Sequence, residues 1–255
     1  MEVMPLLDAL FRWIHVVAGI LWIGLLYWFN WVNLPFVATL DGDTKQKITP
    51  ELYPRTLYWF RWGAAWTWIT GVLLLLLVFY HGGALFDGPD FTWGLSAFVM
   101  LAVVFLGVFI YDALYNTVLK DNDLIATGIS LLLISVVLYL LDTWANFGYR
   151  GYVIHTGAMF GTFMAFNVWF RIWPAQQKII PAIKSGQAPD AALAAMAGMR
   201  SKHNTYMSVP LVWTMINFHT TTVGAGSRYW LFLAIIVGWG VVWLLYRKAA
   251  KVPGF

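Results

Sequence analysis

The chain has 255 residues, 60% of them hydrophobic and only 11% charged, against roughly 25% charged in soluble domains. That balance excludes a soluble globular fold, and a net charge of +4 without a basic patch on a soluble surface excludes nucleic-acid binding. The absence of cysteine excludes disulfides, thiolate metal sites and covalently attached c-type haem, and leaves five His and nine Met as ligands for a metal.

Seven apolar stretches reach or approach the roughly 20 residues of a bilayer-spanning helix. The first, about 9–33, contains RWIHVVAGILWIG. Arg12 stands at its start with no basic segment before it and no small-residue cleavage site after it, so it reads as a retained helix and not a signal peptide. A polar loop, DGDTKQKITPELYPR, leads to the second stretch, about 57–80, which ends at His81. The third and fourth, about 93–117 and 122–146, carry Asp112 and Asp142. The fifth, about 151–173, carries His155. A longer polar connection follows, whose alanine-rich half from Pro189 to Met199 predicts a short surface helix opened by Pro189 and Asp190. The sixth, about 203–222, holds Pro210, which predicts a kink. The seventh covers about 228–247. The sequence predicts an all-α integral membrane bundle of about seven helices, one domain over residues 1–255.

Lys and Arg set the orientation. Arg12, Arg150 and Arg228 fall on one side, and the other thirteen, Lys120 among them, fall on the opposite side. The N-terminus is therefore expected outside and the C-terminus in the cytoplasm. His15, His81, His155 and His219 then lie in one outer layer on four helices, and His203 lies at the inner interface.

An ionisable group at membrane depth marks function by default. A lone membrane histidine is as readily a hydrogen-bonded polar group, and His81, before Gly82 and Gly83 at the water boundary, reads as solvated. His15, His155 and His219 together point to a shared site, because neutral imidazoles from facing helices hold haem or metal in bundles. Gly19 lies on the His15 face, and Gly157 and Gly161 follow His155 at G-x-x-x-G spacing. Such small residues admit a flat macrocycle or simply a neighbouring helix. Arg12 and Arg150 stand at the level of haem propionates, or anchor the interface. Asp142 could reach the same layer. Asp112, with Arg61 and Arg171 at similar depth, reads as half of an ion pair. The Trp and Tyr clusters read as interfacial belts.

Five stretches carry a family likeness: RWIHVVAGILWIG, YWFRWGAAWTWITG, FIYDALYNTVLKDND, HTGAMFGTFMAFNVWFRIWPAQQKII and RSKHNTYMSVPLVWTMINFH. In order, from about residue 10 to 245, they resemble the membrane domain of cytochrome-c-linked urate hydroxylases. The resemblance implies oxidation of urate to 5-hydroxyisourate, with electrons passed to a cytochrome c outside the membrane. It implies roles for His15, His155, His203 and His219, and for Asp112, Arg200, Asn204 and Tyr206. Asp112, His203, Asn204 and Tyr206 become the catalytic candidates. The family's eighth helix and fused cytochrome have no counterpart here, Gly63 stands where the family places an acid, and Phe218-His219-Thr220-Thr221 replaces Asn-His-Tyr-Pro.

The expected function is a membrane haem-b oxidoreductase of the bacterial inner membrane, with His155 and His219 as axial ligands and His15 as their competitor. A separate c-type cytochrome would dock at the outer face near His81, Arg150 and Arg228, within a larger membrane assembly. A haem-bearing electron-transfer subunit and a structural membrane anchor are the alternatives.

Overall fold

The computed structural model describes residues 3–88, 94–119, 122–219 and 227–253. Lys120 and Thr220 to Thr222 lie outside them. Within them the chain is helical without a strand. In chain order the helices are α1 Val3–Ala38, α2 Gly42–His81, α3 Leu95–Asn116, α4 Asp123–Trp144, α5 Tyr149–Lys184, α6 Ala191–Asn217 and α7 Arg228–Ala249. All but α6 are long and apolar enough to cross a membrane. Helix α6 falls short because Arg200, Lys202, His203 and Asn204 interrupt its apolar sequence.

Three helices are longer than their hydropathy suggested. α1 and α5 have 36 residues and α2 has 40. At about 1.5 Å per residue each greatly exceeds a hydrocarbon core of about 30 Å. In α2 and α5 the added turns are polar, so an apolar window ends before the helix does. The predicted surface helix is the first part of α6, which runs without interruption from Ala191 through Pro210 to Asn217. Its start is capped as expected, by Asp190 Oδ1 accepting from the amides of Ala192 (2.8 Å) and Leu193 (3.2 Å). Four segments widen into π-helical turns: Trp28–Asn33, Leu75–His81, Leu140–Trp144 and Asn167–Ile172. Such turns insert one extra residue and are frequent at functional sites. Nothing in the residue pattern predicted them.

The chain forms two compact units, neither contiguous in sequence. The first consists of Met1–Gly71, Met164–Ser208 and Trp239–Phe255. The second consists of Val72–Phe163 and Val209–Gly238. In the first, α1 and α2 pack closely at Gly63, where a Cβ would stand 3.3 Å from Ala18 O and from Trp22. Gly19 faces Thr67 of α2 at 3.7 Å and so serves helix packing. In the second, Gly157 packs under Thr214 and Met215 of α6, with no room for a Cβ. Gly238 lies against the Pro210 ring, 3.1 Å from where its Cβ would be.

Candidate functional site

In the second unit the site is built around the start of α5. Asp87, from the segment after α2, accepts the Tyr149 amide at 3.0 Å and caps the helix. Gly148 donates to Leu85 O at 3.0 Å. Gly148 and Gly151 are closed in by the Asp87 carboxylate and Leu85 O, so neither position has space for a side chain. This fixes the first turn of α5, and His155 stands on the next one.

His155 is fully buried. Its Nδ1 is 2.7 Å from Gly151 O. A carbonyl only accepts, so Nδ1 carries a proton and Nε2 bears the lone pair of the neutral ring. The Tyr80 hydroxyl donates to Nε2 at 2.9 Å. Phe147 packs on the ring at 4.7 Å between centroids. Tyr80 was not foreseen from the sequence. The available signal was a tyrosine directly before His81 at the end of an apolar helix.

Arg150 and His219 belong to the same unit. The Arg150 guanidinium stands 6.0 Å from the rings of both Phe79 and Phe218, and its Nε is buried without a hydrogen-bond partner. Phe218 lies 3.8 Å from the ring of its neighbour His219, which is exposed, as is His81. Asp142 pairs with Arg228, which also donates to Thr143 at 3.0 Å, so each satisfies the other's charge. Asp112 is buried and accepts from Asn116 at 3.1 Å.

The first unit holds His15 and most of the family-like polar residues. His15 Nδ1 is 2.9 Å from Thr67 O, so it too donates to a carbonyl and leaves Nε2 with the lone pair. Its Cε1 lies against Gly71, 3.0 Å from where a Cβ would be. Arg12 pairs with Asp8 at 2.8 Å on a partly exposed face. Arg61, one of the two arginines at the depth of Asp112, lies among Trp173, Tyr58 and Trp169.

A buried polar core occupies the other part of this unit. Asn204 is fully buried, accepting from Asn167 at 2.8 Å and donating to Met164 O at 3.0 Å. Asn30 donates to Ser201 at 2.9 Å and accepts from Tyr246 at 2.8 Å. Asn33 donates to Tyr53 at 2.7 Å, and Ser208 to Tyr27 at 3.1 Å. Tyr206 stacks on Tyr246 at 6.1 Å, Arg200 is fully buried, and His203 is half-buried. Asn30 and Asn33 sit in one π-helical turn and Asn167 in another. The sequence singled out Arg200, Asn204 and Tyr206 but missed these three asparagines. Their signal was the same as that of the histidines, a polar side chain at membrane depth.

Among the described residues no three His, Asp or Glu side chains gather as a metal site. No curated protein and no solved structure matches the chain. A family model, urate oxidase N-terminal, matches residues 41–251. The match takes in His155, His203 and His219 with the whole polar core except its α1 members, and it leaves out His15. With most of its length under that model, the chain belongs to the urate oxidase N-terminal family.

Proposed function

We propose that the protein is a membrane-bound urate oxidoreductase that carries haem b and passes electrons to a c-type cytochrome. The family match over residues 41–251 carries this reading. In it the chain crosses a bacterial inner membrane seven times with the N-terminus outside, following the distribution of Lys and Arg.

The residues around His155 suit a haem. The bond from Nδ1 to Gly151 O orients the imidazole with Nε2 as the ligating nitrogen, the arrangement metal-bound histidines commonly adopt. Tyr80 holds that lone pair and has to turn away for ligation. Arg150, with its Nε buried and lacking a hydrogen bond, suits a propionate. His219 is the second residue that could hold the haem, with His15 as its competitor. Arg12 is less suited, since Asp8 already neutralises it. A bound haem would supply one-electron acceptor chemistry.

Urate and water yield 5-hydroxyisourate with release of two electrons and two protons. We place the substrate contacts in the polar core of the first unit, with Asn204 and Tyr206 orienting a planar heterocycle and His203 receiving a proton. Asp112, in the second unit, is a separate candidate for proton movement. Electrons leave at the outer face near His81, Arg150 and Arg228 to a cytochrome whose covalent haem lies outside these 255 residues. The test is a reduced-minus-oxidised optical spectrum of the purified protein, followed by anaerobic urate. Haem bands that urate reduces support the proposal. Bands indifferent to urate leave an electron-transfer subunit, and no bands leave an anchor.

A further inference from the structure

A groove between α1 and α2 in the first unit has no part in the chemistry above. It encloses about 650 Å³ and is walled by Trp13, Val17, Tyr58, Trp59, Trp62 and Trp66. Its floor is Gly63, where the missing side chain lets α2 lie against Ala18 and Trp22. Trp13 is 70% exposed and Trp59 57%, so the groove opens sideways, away from the core. From Tyr58 to Trp66 it follows α2 for about 12 Å, most of the roughly 15 Å depth of one leaflet.

One end of the groove differs in charge. Tyr58, which forms its wall, also lies 5.7 Å from the Arg61 guanidinium. That guanidinium rests 3.9 Å from the Trp173 ring and 5.8 Å from Trp169. Arg61 Nε is buried without a hydrogen-bond partner. Four carboxylates of the same unit are engaged elsewhere: Asp8 with Arg12, Glu51 with Arg55, and Asp41 and Asp190 with backbone amides. Aromatic rings hold the guanidinium in place but do not neutralise it. An interfacial belt alone needs neither a concave floor nor an unneutralised cation at its edge.

We propose that this is a binding site for one anionic phospholipid, with the phosphate on Arg61 and an acyl chain along the Gly63 groove. The proposal rests on the membrane reading of α1 and α2 and is independent of haem and urate. The full chain in mild detergent is incubated with phosphatidylglycerol or phosphatidylcholine of identical acyl chains, and retained lipid is read by native mass spectrometry. Retention of phosphatidylglycerol is expected to exceed that of phosphatidylcholine by about tenfold, as for a charge-assisted contact. Arg61→Gln should remove the preference, and Arg61→Lys should keep part of it. Trp59→Ala and Trp66→Ala remove parts of the wall and should lower retention of both lipids. Equal retention of the two lipids by the unaltered protein overturns the proposal, whatever the variants do. So does an unchanged preference in Arg61→Gln, or competition by glycerol 3-phosphate as strong as that by the whole lipid.

Discussion

At His155 the two ring nitrogens have separate tasks. Nδ1 is committed to Gly151 O, and Nε2 is held by a single hydroxyl, that of Tyr80. Removing the hydroxyl therefore has a different effect from removing the ring. Tyr80→Phe frees Nε2 and is expected to keep a low-spin haem spectrum, while His155→Ala is expected to abolish it. Loss of the spectrum in Tyr80→Phe with its persistence in His155→Ala would exclude His155 as a ligand. The sequence located His155 because an imidazole at membrane depth is conspicuous. The signal for Tyr80 was weak, because tyrosines at helix ends are common in membrane proteins and only the packed structure brings one to an imidazole. The partner of Asp112 stayed open between Arg61 and Arg171 for a related reason. Depth along a helix is legible in sequence, but direction around it is less so, and Arg61 points at Trp173.

Among the helices, glycines at regular spacing divide into two kinds. Gly157 has Thr214 and Met215 where a Cβ would go, while Gly161 has nothing within 4 Å. The G-x-x-x-G pattern treats them alike. Gly157→Ala should lower the thermal stability of the detergent-solubilised protein, by about 1–3 kcal/mol as for overpacking. Gly161→Ala should leave it unchanged or raise it by up to about 1 kcal/mol through helix propensity. Melting curves followed by circular dichroism test both, and equal effects would contradict the packing. Helix positions were readable from hydropathy because apolar runs must be long to cross a bilayer. Helix lengths were not, since the polar turns at the start of α2 and the end of α5 lack an apolar signal. The π-helical turns were equally hidden, because no residue pattern marks them.

For the whole molecule the absence of cysteine is an experimental advantage. A single introduced cysteine labels one place. Gly83 is unsuitable, since its φ of +73° disfavours any side chain, but His81 and Gln187 are exposed. His81→Cys and Gln187→Cys should react with a membrane-impermeant maleimide from opposite sides of the membrane. Reaction from the same side would refute the orientation drawn from Lys and Arg. The family itself was legible from five stretches of sequence, and the match over residues 41–251 agrees with four of them. The first stretch, with His15, falls before that range.

Asn30 has a further bearing, on the order in which the chain is made. Its partners Ser201 and Tyr246 lie 171 and 216 residues later. The unit that contains them is completed only by Trp239–Phe255. A ribosome adding about 5–20 residues per second needs roughly 10–40 s to cover that interval. During that time α1 is already synthesised while its buried asparagine first lacks both partners and then, once Ser201 is made, lacks Tyr246. In the membrane topology proposed above, the nascent first helix is expected to be held by the insertion machinery, or with Asn30 kept near water, until the last helix is made.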